Sequence, residues 1–122
     1  MRKREVLITR LFDEAITKMA DYYESMRPIF PDSGSRLSAF ADRLFEHVIP
    51  MLEKHAEIGR LYPLAKLGTE AETALLAELG PVIASPSTAV REWIERDFTI
   101  LYLTTPDRVY MINLKHHLQL GY

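Results

Sequence analysis

Apolar and polar positions along this chain follow two rhythms in succession. The first apolar run, REVLIT, is short and β-branched, which predicts a strand over about residues 4–9. From there the apolar positions are Leu11, Phe12, Ala15, Ile16, Met19, Ala20 and Tyr23, one face of a helix that ends near Met26. Pro28 and Pro31 forbid continuation, and PDSGS reads as a turn that supplies caps for a second helix. That helix carries the clearest stripe in the sequence: Leu37, Phe40, Ala41, Leu44, Phe45, Val48 and Ile49. Pro50, which lacks an amide, should kink or end it, with MLEKH adding a further turn before Gly59. EIGRLYPLAKLG then reads as a loop punctuated by Gly59, Pro63 and Gly68. TEAETALLAELG reads as a short third helix, capped by Thr69 and stopped by Gly80 and Pro81, with PVIASPST as a connector.

The last third changes period. AVREWIE, FTILYLT and RVYMINLKH are strand-length segments separated by RD and TPD, both short enough for hairpins. Residues 98–104 are apolar on both faces, so this strand should be central, with helices against one side. The expected fold is α+β: an N-terminal strand, a helical hairpin plus a short third helix, packed on a small, mainly antiparallel sheet in the order β-α-α-α-β-β-β. At 122 residues the chain forms one domain, 1–122, without repeats or low-complexity tracts.

Composition narrows the chemistry. Apolar residues make up 48% and charged residues 26%, ordinary for a soluble domain. The absence of cysteine excludes disulfides, zinc–thiolate sites and thiol catalysis. The basic start MRKREVLITRLFDEA is not followed by an uninterrupted apolar stretch, so neither a signal peptide nor a membrane anchor is expected, and a cytoplasmic setting is. With 15 basic and 17 acidic residues the net charge is −2, which disfavours nucleic acid as the primary ligand. The basic cluster Arg2, Lys3, Arg4 and Arg10 reads as a solvated flank of the first strand. His47 and His55 are eight apart rather than four and no HExxH occurs, so no metal site and no cofactor are expected. His116 and His117 fall on opposite faces of an extended strand and cannot share one metal.

With these elements in order, the chain resembles the RelE/ParE superfamily, the toxins of type II toxin–antitoxin and plasmid-stabilisation systems. LFDEAITKMADYYE looks like its first helix, and FADRLFEHVIPMLEKHAEIGRLYP like its second helix with the exit through iGR, Ala56 standing where a proline is usual. VREWIERDFTILYLTTPDRVYMINLKH is similar to the three terminal strands, and KHHLQLGY to the family ending KHxRQ. Leu118 replaces the arginine usual after the paired positions, which weakens the basic ending. The resemblance implies a ParE-like toxin that inhibits DNA gyrase by binding and is neutralised by a cognate antitoxin. Its alternatives are a RelE-like ribosome-dependent mRNA endonuclease and an inactivated relative that binds only its antitoxin. A homodimer or a toxin–antitoxin heterotetramer is the assembly it implies, away from membranes.

For the endonuclease alternative, 2′-hydroxyl attack needs a base, an acid and a cation that does not titrate. The available set is Arg91, Tyr102 or Tyr110, Lys115, and His116 or His117, with Arg91 equally readable as structural. Alternation places Arg91, Trp93 and Glu95 on one face of their strand, with Val90, Glu92 and Ile94 on the other. For the binding reading, candidate contacts are Trp93, Arg108, Lys115, His117 and Gln119, together with the helical hairpin. Trp93, Tyr22, Tyr62 and Tyr122 supply apolar surplus suited to an amphipathic partner helix.

Overall fold

Why strand 98–104 is apolar on both faces becomes clear from its place in the sheet. The computed structural model describes residues 3–63, 66, 68–83 and 86–116. Its elements are β1 (Glu5–Ile8), α1 (Arg10–Met26), α2 (Ser33–Arg43), a π-helical turn (Leu44–Val48) and α3 (Ile49–Lys54). A 3-10 turn (Ala56–Ile58), β2 (Arg60–Leu61), α4 (Thr69–Ile83), β3 (Ala89–Glu95), β4 (Phe98–Thr104) and β5 (Arg108–His116) follow. The five strands lie in the order β1-β5-β4-β3-β2; β1 runs parallel to β5 and the other pairs are antiparallel. The α+β class and element order match the sequence reading. The segment EIGRLYPLAKLG, expected to be loop throughout, contributes the edge strand β2: the amide of Tyr62 continues this pairing to the carbonyl of Val90, 2.8 Å away.

All seven residues of β4 are buried, and its five apolar and aromatic ones divide between two cores. Phe98, Ile100 and Tyr102 face Phe12, Met19 and Tyr23 of α1, Phe40 of α2, and Leu44, Val48 and Leu52 that follow. Leu101 and Leu103, with Val90, Tyr110 and Ile112, face Leu75 and Leu79 of α4. The expectation of helices on one side is therefore corrected. Residues 69–83 cover the second face of the sheet, and the apolar surface of β4 is satisfied from both sides. α4 breaks at its expected stop: the backbone leaves helical angles at Leu79 (φ −129°), just before Gly80 and Pro81, and a further helical turn carries the element to Ile83.

The second helix shows how the chain carries a proline. Phe40, Leu44, Val48, Leu52 and Ala56 are buried and spaced four apart, a spacing that drifts around a 3.6-residue helix by about 40° per step. The π-turn over Leu44–Val48, closed by the Ile49 amide to the Leu44 carbonyl, absorbs one residue and holds the stripe on the sheet. The same extra residue sits directly before Pro50, so the hydrogen-bond ladder steps past the missing amide and α3 continues to Lys54. Phe45, expected in the stripe, is turned outward by this geometry and is 60% exposed.

A bulge solves a similar problem in β5. Tyr102 pairs with Met111 but Leu101 pairs with Asn113, leaving Ile112 as the extra residue. Strict alternation would send Leu114 to the second face; the bulge returns it to the first core beside Ile100. Thr9 joins the layers by accepting the Phe12 amide as the cap of α1 while its hydroxyl donates to the Met111 carbonyl at 2.6 Å.

If α4 is a structural cover, Leu75→Ala should cost about 2–4 kcal/mol, as for other deletions of a buried leucine. Urea unfolding measures this; a loss under about 0.5 kcal/mol, typical of surface changes, would show that α4 contributes little to the core.

Candidate functional site

The endonuclease candidates fall at opposite ends of β4. Arg91 and Tyr102 are register partners on the first face. Phe98 and Thr99, four and three residues away, pair with His116 and Lys115, a separation of about 10–13 Å at ~3.3 Å per residue. Lys115 lies on the opposite face from His116. The set is not gathered around one point where a phosphate could react.

At the first end, the segment from α3 to β2 is held by a clamp. The Tyr102 phenol is fully buried, donates to the Ala56 carbonyl at 2.8 Å and accepts the Gly59 amide at 2.9 Å. Burial raises its pKa above the ordinary tyrosine value, making it a weaker acid. Arg91 Nη1 donates to the carbonyls of Gly59 at 2.7 Å and Glu57 at 3.1 Å. Gly59 is required here because any Cβ would collide with the Tyr102 hydroxyl and the Glu92 carbonyl. Arg4 arrives from the opposite edge of the sheet: its amide donates to the Glu53 carbonyl, its Nε to the Pro106 carbonyl, and its Nη2 to the Glu57 carboxylate.

The hydrogen bond from Arg4 is the main reason the Glu57 carboxyl sits below its ordinary pKa. A carboxylate held ionised in this way is a poor general base. Arg4, read from sequence as part of a solvated flank, is thus largely buried, with 21% of its side chain exposed. Arg10 of the same cluster is ion-paired to Glu14 and Glu78. The chemistry assembled at this end grips backbone and positions the entry into β2.

The other end carries Glu95, 6% exposed, which accepts from Arg43 and from the Trp93 indole at 2.9 Å. Burial pushes this carboxyl up, but the hydrogen bonds from Trp93 and Arg43 and the charges of Arg43 and His47 outweigh it, leaving its pKa lowered. The His47 ring stands edge-on to Trp93, centroids 6.1 Å apart. A cleft of about 100 Å³ between α2 and the β3–β4 turn is lined by Arg36, Phe40, Arg43, Glu95, Arg96 and Phe98, among others. Arg43 is paired with Glu95, and Arg36 lies 3.8 Å from Asp32 and 3.9 Å from Asp97. Arg96 takes φ +56° in the two-residue turn, a region that favours glycine. The His116 ring packs edge-on against Phe98 and Tyr23, at 5.4 Å and 6.2 Å.

Among the remaining binding candidates, Trp93 is half-buried, and Arg108 is exposed with Nη1 3.4 Å from the Tyr110 hydroxyl. Tyr22 is 50% exposed, whereas Tyr62 packs against the second core. His117, Leu118, Gln119 and Tyr122 lie outside the described residues, as does the expected capping side chain of Thr69. Among the described residues no group of three or more histidines, aspartates or glutamates could hold a metal ion, and no helix is long and apolar enough to cross a membrane. Sequence reading missed Arg4–Glu57 and Arg43–Glu95 as pairs, since each joins positions more than fifty residues apart. Comparison with known proteins finds no matching family model and no matching curated protein.

Tyr102→Phe leaves the Gly59 amide and Ala56 carbonyl unpaired in a dry site and should cost about 1–3 kcal/mol, read from chemical denaturation; an unchanged midpoint would remove the clamp from the account. For Glu95, a lowered folded pKa means that its stabilisation is present above the unfolded value and lost as pH falls through the folded one. The wild type should therefore lose stability more steeply below about pH 4 than Glu95→Gln, which should be the less stable of the two at neutral pH. Parallel acid limbs in thermal melts of the two proteins would count against that pairing.

Proposed function

We propose that this chain is the toxin of a type II toxin–antitoxin module, ParE-like, acting by binding DNA gyrase and silenced by a cognate antitoxin. The reading rests first on the ordered resemblance of its helices and strands to that superfamily. The observation that favours binding over cleavage is the state of Tyr102 and Arg91. The tyrosine has no exposed surface and both of its hydrogen-bonding directions are taken by backbone, and Arg91 Nη1 is engaged by two carbonyls. A nuclease that used Tyr102 for proton transfer would first have to break its hydrogen bonds to the Gly59 amide and the Ala56 carbonyl. The second face of the sheet, where Tyr110 lies, is covered by α4.

A binding mechanism asks for surface, not for a reactive group. The available surface includes the outward Phe45 of the π-turn and the exposed apolar residues Tyr22, Ile29 and Phe30 around the α1–α2 connection. The near-neutral balance of charge agrees with a protein partner more than with a bare phosphate backbone.

Induced expression in a growing bacterium, with pulse labelling of DNA and protein synthesis, tests the reading. Thymidine incorporation should fall first while translation continues. An early collapse of translation would instead support ribosome-dependent mRNA cleavage, and normal labelling of both would support a relative that only binds its antitoxin.

A further inference from the structure

We propose that Arg4 and Arg91 form a receptor for a small oxyanion, a phosphate or carboxylate group, whose place Glu57 takes in the free protein. Both guanidinium groups are anchored on the same residue, Arg4 through the Glu57 carboxylate and Arg91 through the Glu57 carbonyl. Their anchoring uses only part of their donor capacity. Each arginine has five N–H groups in a fixed fork, and Arg4 Nη1 and Arg91 Nε are buried with no hydrogen-bond partner. Buried charged donors without acceptors are costly, and a bound ion is one of the ordinary ways such groups are satisfied.

The charge balance points the same way. Two guanidinium groups act on this locus against one carboxylate, since both influence Glu57 and Tyr102 electrostatically and burial keeps the tyrosine neutral. The other acid nearby in sequence pairing, Glu92, is engaged by Arg60 at 2.9 Å and points to the second face, opposite Leu101. Glu57 is the exposed member, with 57% of its side chain accessible against 21% for Arg4. Its carboxylate can swing into solvent by side-chain rotation alone, while the backbone carbonyl stays bound to Arg91. An incoming oxyanion has lone pairs enough to replace the carboxylate on Arg4 and also to accept from Arg91 Nε, which Glu57 leaves unused. The site does not depend on the cellular target proposed above.

Thermal melts in phosphate, acetate and chloride at matched ionic strength test the receptor, using wild type, Glu57→Gln and Arg4→Gln. Arg91 is left intact because its carbonyl contacts support the fold. Phosphate or acetate should raise the melting temperature beyond chloride; the midpoint of that response should shift to about tenfold lower concentration in Glu57→Gln, where the competing charge is gone, and disappear in Arg4→Gln. A response to phosphate alone assigns a phosphate group, and one to acetate alone a carboxylate. Identical melts in all three salts for wild type and Glu57→Gln, or a response that survives in Arg4→Gln, would overturn the proposal.

Discussion

The constraint on which this structure rests is a strand that is apolar on both sides. β4 is buried along its whole length, so neither a single helical layer nor an open sheet would satisfy it. The first face recruits α1, α2 and the turns that follow, and the second recruits α4. Everything else adjusts to keep apolar residues in phase with those two surfaces. The π-turn keeps a four-residue stripe facing the sheet, and the bulge in β5 returns Leu114 to the first core.

Polar chemistry follows from the same arrangement. Where β4 ends its run under the helical layer, Tyr102 brings a hydroxyl into the dry interior, and that hydroxyl needs partners. The chain supplies them by bending Ala56–Gly59 across it, and Arg91 of β3 and Arg4, just before β1, hold the bend. Residues that look reactive in a sequence, an arginine and a tyrosine on adjacent strands, are thereby drawn into holding the chain together. At the far end Glu95, Arg43 and Trp93 pin the β3–β4 hairpin to α2 in a comparable way. Polar groups placed at both ends of an apolar strand stabilise the fold only because their partners are fixed by it.

This division of labour bears on mechanism. A catalytic constellation needs its members within reach of one reacting atom, and the register places Arg91 and Tyr102 away from Lys115 and His116. Surface contact has no such requirement, which is why the outward apolar residues of the helical hairpin carry more weight in the functional reading than the histidines do.

The sequence by itself determined the elements whose signal is local. Periodicity marks α1, the second helix and three consecutive strands, because an amphipathic face or a β-branched run is written in neighbouring residues. The faces of β3 were legible for the same reason: alternation alone separates Arg91, Trp93 and Glu95 from Val90, Glu92 and Ile94. The tertiary structure alone decided what lay between distant positions. A two-residue edge strand at Arg60–Leu61 has too little pattern to announce itself and exists because β3 offers an edge. α4 could be read as a helix, but its burial against the second face depends on a sheet assembled from both ends of the chain. The pairing of Arg4 with Glu57, 53 residues apart, leaves no trace in either local sequence. Charge and hydrogen bonding act through space, and only the folded chain brings those groups within a few ångströms of each other.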